Sequence, residues 1–171
     1  MIPKNLVPEG YTAFIAGGYA ACPALAADMD VWVSVRPAQA TLDEVREQLL
    51  AHLADWDFGN FSFTEEMETR QCEGYQGMPG ALILKVAKVQ VGALTVHLLL
   101  TDGDVFSLLE SFDISTHQIA LTERGAVKGS MWTPITEPPI KLRDTPTTDA
   151  RMEKIRARYA HPEIINDIWG L

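Results

Sequence analysis

Asp28 and Asp30 stand one residue apart in the run DMDVWVSV, where Met29, Val31, Val33 and Val35 supply the alternate positions. That period of two is the pattern of a strand with one buried face, and it puts both aspartates on the opposite face. Carboxylates at i and i+2 of a strand project from the same side about 7 Å apart, close enough to bind one divalent cation, and hard oxygen ligands are what Mg²⁺ (or Mn²⁺) selects. Upstream of Asp28, with a spacer of nine residues between, Gly17-Gly18 end an apolar stretch and open an Ala-rich segment. A glycine pair opening a helix lets backbone N–H groups approach a phosphate with no Cβ in the way, and the helix start favours the anion. Together the two features would hold a metal-bound nucleoside triphosphate, for which phosphoryl chemistry needs little beyond positioning and charge neutralisation.

The elements that position them follow from local pattern. Residues 12–18 read as a short apolar strand ending in the glycine pair, and 19–27 as a short helix with a proline in its first turns. Residues 28–35 form the strand with the aspartates. Thr41, with Glu44 three positions on and apolar residues at 42, 45, 49, 50 and 53, predicts a capping box leading an amphipathic helix. A strand near 61–63 and then a long loop to residue 80 are expected, because aromatic and acidic residues mix there with Gly and Pro in no clean period. Two β-rich runs, 81–91 and 94–101, flank Gly92-Ala93 as a hairpin would. A helix over 104–110, a strand over 114–121, an extended Pro-punctuated stretch and a last helix over 149–159, capped by Thr147 or Thr148, complete the order. It predicts a single α/β (α+β) domain over 1–171, a mixed and mainly antiparallel sheet flanked by helices with Asp28-Met29-Asp30 on a central strand. Residues 130–171 are a C-terminal extension ending in a basic helix.

Further charged side chains fit an anionic ligand. Lys85 and Lys88 reach triphosphate oxygens if the hairpin turns them inward, and otherwise decorate its exposed face. Arg151, Lys154 and Arg158 fall at i, i+3 and i+7 of the last helix and line one side of it. That stripe contacts phosphates of the nucleotide or of an RNA acceptor, or is a solvated face that balances an acidic body. His97 and His117 lie in apolar strands and read as packing residues, as does Cys22 in its Ala-rich segment.

The order apolar residue, Gly, Gly, a spacer, then Asp-x-Asp flanked by apolar residues resembles the signature of the nucleotidyltransferase superfamily, typified by DNA polymerase β, poly(A) polymerases and the tRNA CCA-adding enzymes. Ala16-Gly17-Gly18 and Asp28-Met29-Asp30-Val31 match it at every position. The later run VHLLLTDGDVFSLLESFDISTHQIAL is similar to small phage-type nucleotidyltransferase-like proteins. The resemblance covers residues 12–35 and 82–122 and extends to the final basic helix. It implies a nucleotidyltransferase-like fold, with Asp28 and Asp30 as catalytic metal ligands and Gly17 and Gly18 cradling the triphosphate. It implies transfer of NMP from an NTP such as ATP to an acceptor hydroxyl on RNA such as tRNA, on a protein or on a small molecule, with release of pyrophosphate. Many superfamily members carry a third carboxylate on an adjacent strand, but residues 94–100 offer Thr95 and His97 instead. Asp113 is the candidate for that role, with Asp102 and Asp104 as rivals. The alternative is a non-catalytic module of the same fold that binds a nucleotide or a protein partner.

Composition narrows the field further. With 171 residues, 47% hydrophobic and 22% charged, the chain has ordinary globular make-up and the length of one domain. No apolar run approaches the roughly 20 residues that span a bilayer, so no membrane association is expected. Cys22 and Cys72 are two thiols without the close spacing of a zinc or disulfide framework, which fits a reducing, cytoplasmic setting. No Gly-x-Ser-x-Gly, Walker-type Gly-Lys-Ser/Thr or Gly-x-Gly-x-x-Gly occurs, which excludes those hydrolase, NTPase and dinucleotide classes. The formal charge of -9 argues against broad binding to a nucleic-acid backbone. Yet residues 141–158 hold six of the 14 basic residues and only three of the 23 acidic ones, so this segment is the one local positive patch.

Overall fold

The computed structural model describes residues 2–36, 40–55, 61–66 and 83–159, with backbone only over 61–66. Cys72 and most of the loop expected up to residue 80 lie outside the described residues.

Seven strands form one sheet, β1 (Thr12–Ala16), β2 (Asp28–Ser34), β3 (Phe61–Glu66), β4 (Ile83–Val91), β5 (Leu94–Thr101), β6 (Ile119–Thr122) and β7 (Gly125–Lys128), in the order β3-β4-β5-β2-β1-β6-β7. Every neighbouring pair is antiparallel except β2 with β5, which run parallel. The sheet is therefore mixed and mainly antiparallel, with helices around it, as expected. β2, the strand of Asp28 and Asp30, is its middle member.

Local sequence accounts for several of these elements. Helix α2 (Leu42–Asp55) starts on the expected reciprocal cap: the Thr41 amide donates to Glu44 Oε2 and the Glu44 amide to Thr41 Oγ1, each at 3.2 Å. Its buried residues Leu42, Val45, Leu49 and Leu53 recur at helical spacing, and each fully buried Val or Leu contributes about 2 kcal/mol of transfer free energy. The β4–β5 hairpin turns at Gly92, whose φ of 59° is open to glycine at no steric cost.

Three elements depart from expectation. The helix expected over 19–27 is a single turn, α1 (Gly18–Ala21), followed by a 3₁₀ turn at Pro23–Leu25, because Pro23 has no N–H to continue the ladder. The strand expected over 114–121 begins only at Ile119, after a 3₁₀ turn at Ser115–His117. Strand β7 has no counterpart in the expected order, since Gly125–Lys128 is an exposed edge with little apolar content.

The alternation in β2 divides the molecule. Met29, Val31 and Val33 point to one face, where they join Val96, Leu98, Leu100 and the buried side of α2 in the larger core. Asp28, Asp30 and Trp32 share the other face. Trp32 is wholly buried there among Phe14, Leu99 and the α3 (Val105–Ser111) residues Leu108 and Leu109, with the Phe112 ring 6.0 Å from its own. Within one strand that face thus passes from packed core at Trp32 to an open cleft at Asp30. α4 (Thr148–Arg158) completes the fold, burying Met152 and Ile155 against Ile114.

Candidate functional site

A cleft of about 260 Å³ opens over the Asp28 end of β2, lined by the Gly17-Gly18 turn, Asp28, Asp30, Lys85, His97, Phe112, His117, Arg151 and Arg158. Residues from both ends of the chain meet there because β2 is central. β1 delivers the glycines beside it, and the parallel register of β5 sets His97 directly opposite Asp30.

The acidic side of the cleft is ordered by that register. His97 Nδ1 lies 3.0 Å from Asp30 Oδ1, and the two side chains are 15% and 23% exposed, while Asp28 is exposed. The other Asp30 oxygen faces Gly17, where a Cβ would lie 3.9 Å from Oδ2. Gly17 adopts φ 91° and ψ -144°, a conformation that side-chain-bearing residues rarely take. Its amide is held by the Ile119 carbonyl at 3.2 Å, so the turn is pinned to β6. Among the described residues no group of three or more His, Cys, Asp or Glu side chains is arranged to hold a metal ion. Two carboxylates on one face nevertheless form the hard-oxygen donor set that Mg²⁺ or Mn²⁺ takes, provided a ligand's oxygens and water complete the shell.

The basic side comes from Lys85 of β4 and from α4. At 100° per residue, Arg151 and Arg158 lie 20° apart around the helix axis, while Lys154 falls about 40–60° further round. Accordingly Arg151 and Arg158 line the cleft, and Lys154 is exposed outside it. Of the expected stripe, two members reach the site and the third does not. Lys88 likewise stays out of the cleft lining, whereas Lys85 joins it. The register shift between Lys85 and Ala87 sets Lys85 opposite Leu99 and Lys88 opposite His97, so the two lysines share a face and only Lys85 borders the cleft.

Asp113 is not brought into the cleft. Its carboxylate is fully buried, with Oδ2 accepting from the Thr148 hydroxyl at 2.7 Å and Oδ1 from Arg151 at 2.8 Å. Both oxygens are thus spent on seating α4, which corrects the expectation of a third metal-binding carboxylate. The reason is that Phe112, the preceding residue, turns toward Trp32 and the cleft floor, which sends Asp113 the other way. Of its rivals, Asp104 caps α3 by accepting from the Ser107 amide at 2.7 Å, and that bond holds its carboxyl below the usual range. Asp102 is not among the cleft-lining residues.

Both histidines prove to be cleft residues. The apolar residues around them concealed this, since neither His97's partner nor His117's is near in sequence. His117 is 9% exposed; burial first, then the charges of Arg151 and Arg158, push its pKa down to about 3. Arg151 Nη2 sits 3.4 Å from its Nδ1. The C-terminal segment that carries these arginines is tied down by Arg143, which donates to the Ser111 and Glu110 carbonyls. A further tie runs from the Leu142 amide to the Asp113 carbonyl at 2.7 Å.

No described helix is long and apolar enough to cross a membrane. In comparisons with known proteins, no family model matches the chain and no curated protein matches it.

Proposed function

We propose that the chain is a metal-dependent nucleotidyltransferase that transfers NMP from an NTP to an acceptor hydroxyl and releases pyrophosphate. One observation carries this reading: the Asp28/Asp30 pair and the Gly17-Gly18 turn border a single cleft together with Lys85, Arg151 and Arg158. Acid on one side suits a cation, base on the other suits an anion, and a metal-bound triphosphate presents both.

Asp28 and Asp30 would hold the cation, Mg²⁺ or Mn²⁺, which when bound neutralises charge on the triphosphate oxygens. His97, donating from Nδ1, takes one oxygen of Asp30 and so fixes the carboxylate's rotamer. Gly17 and Gly18 leave room for phosphate beside β2. Lys85 and Arg158 offset the negative charge of the β- and γ-phosphates and hold the triphosphate across the cleft. In the transfer, the acceptor hydroxyl releases its proton to water as its oxygen forms a bond to the α-phosphorus, the bond to the bridging α–β oxygen breaks, and pyrophosphate carries that oxygen away. The acceptor belongs to the class of hydroxyl compounds: RNA such as tRNA, a protein side chain or a small molecule.

A second reading, a non-catalytic module that binds a nucleotide or a protein partner, is favoured by His97 standing opposite Asp30 where a third acid would otherwise serve. Calorimetric NTP binding with Mg²⁺, followed by assay of pyrophosphate release across acceptor classes, separates the two. The transferase gives both signals, and the module gives binding without release.

A further inference from the structure

His117 is a buried imidazole with one nitrogen accounted for and one not. The Arg151 guanidinium can only donate, so the 3.4 Å contact from its Nη2 makes Nδ1 the acceptor and places the ring hydrogen on Nε2. Arg151 is in turn held by the fully buried Asp113 carboxylate, at 2.8 Å. The chain Asp113, Arg151, His117 therefore sets the tautomer, anchored on a carboxylate that lies outside the cleft. Nε2, the resulting donor, is buried and has no hydrogen-bond partner among the described residues, and an unpaired buried donor is costly unless a ligand satisfies it.

The cleft residue beside that donor is Gly18. A Cβ at Gly18 would lie 3.6 Å from His117 Nε2 and 3.8 Å from Arg158 Nη1. The absent side chain leaves a space on which an imidazole N–H and a guanidinium converge, and all three residues line the cleft. Neutral at physiological pH, the ring adds a donor without adding another charge beside two arginines.

We propose that His117 Nε2–H and Arg158, meeting over the bare Cα of Gly18, form a subsite for a tetrahedral phosphate oxyanion, the terminal phosphates of the triphosphate and the pyrophosphate product. The identity of that phosphate rests on the nucleotidyl-transfer reading; the subsite itself works without metal and without turnover. His117 and Arg158 are binding groups here, and Asp113 and Arg151 are positioning residues that act through His117.

The test is calorimetric titration of the full chain with inorganic pyrophosphate in the presence of EDTA. Wild type is expected to bind, with His117→Met at least tenfold weaker and His117→Gln, which keeps an N–H donor near the Nε2 position, within about threefold of wild type. ¹⁵N NMR of the wild-type imidazoles supplies a readout that needs no variant: the His117 hydrogen is expected on Nε2, and that signal shifts on adding pyrophosphate. Unchanged affinity in His117→Met, an Nδ1–H tautomer, or no binding by wild type at millimolar pyrophosphate overturns the proposal. Metal-free binding that persists in Asp28→Asn and in a protein that releases no pyrophosphate from any NTP supports the subsite while removing the transferase reading, so the two can fail separately.

Discussion

His97 Nδ1 and Asp30 Oδ1 lie 3.0 Å apart although 67 residues separate them in the chain. The parallel pairing of β2 with β5 makes them direct neighbours on the cleft face, and the hydrogen bond orients Asp30 beside Asp28. Two carboxylates on one strand face repel each other, and a cation between them removes that repulsion.

Asp28→Asn and Asp30→Asn should each abolish metal-dependent turnover and leave the fold intact. The amide keeps the shape, and in Asp30→Asn the amide oxygen can still accept from His97, but the charge that holds the cation is gone. The melting temperature without metal should hold or rise slightly. Turnover equal to wild type in the double variant would count against the carboxylate pair.

Arg151→Ala should destabilise the protein by about 3 kcal/mol, because it strands the buried Asp113 carboxylate. Lys154→Ala, at an exposed site on the same helix, should stay within about 0.5 kcal/mol of wild type. Urea unfolding of both variants checks the contrast, and similar losses would contradict the division of α4 into a seated and a solvated side.

Stability should fall as the solution is acidified below pH 6.5. The pKa of His117 is lowered from 6.5 to about 3 in the folded protein, so between those values the unfolded chain takes up a proton that the folded chain refuses. His117 therefore contributes its full stabilisation above pH 6.5 and loses it toward pH 3, with a slope of at most about 1.4 kcal/mol per pH unit. Unfolding free energies at pH 7, 6 and 5 should decline more gently in His117→Gln; parallel declines would show that the ring is not held neutral.

NTP affinity should weaken with salt, and Arg158→Ala should flatten that dependence while Lys154→Ala does not. The first charge lines the cleft and the second does not, and a cationic side chain that contacts phosphate adds to the salt slope through the counterions it displaces, whereas one outside the cleft does not. Equal salt slopes for the two variants would return the α4 stripe to the status of a solvated face.

What could be read from the sequence was mostly local. The Thr41–Glu44 cap, the alternation through Asp28–Ser34 and the Gly92 turn are each written in a few adjacent residues, and each appears as expected. The glycine turn and the two aspartates were legible for the same reason. The roles of Asp113, His97 and His117 were not, because each is decided by a partner dozens of residues away. Arg151 and Arg158 can be grouped by helical spacing, but that spacing does not state which edge of the helix faces the sheet, so it groups Lys154 with them. β7 carries too few apolar residues to announce an edge strand.

A crystal structure with Mg²⁺ and a non-hydrolysable NTP analogue decides whether this cleft holds a metal-bound triphosphate. An ion is expected at roughly 2.1 Å from carboxylate oxygens of Asp28 and Asp30, with the triphosphate beside Gly17 and Gly18 and its terminal phosphate against His117 and Arg158. An analogue bound elsewhere on the protein, or a cleft left empty at saturating nucleotide, would contradict it.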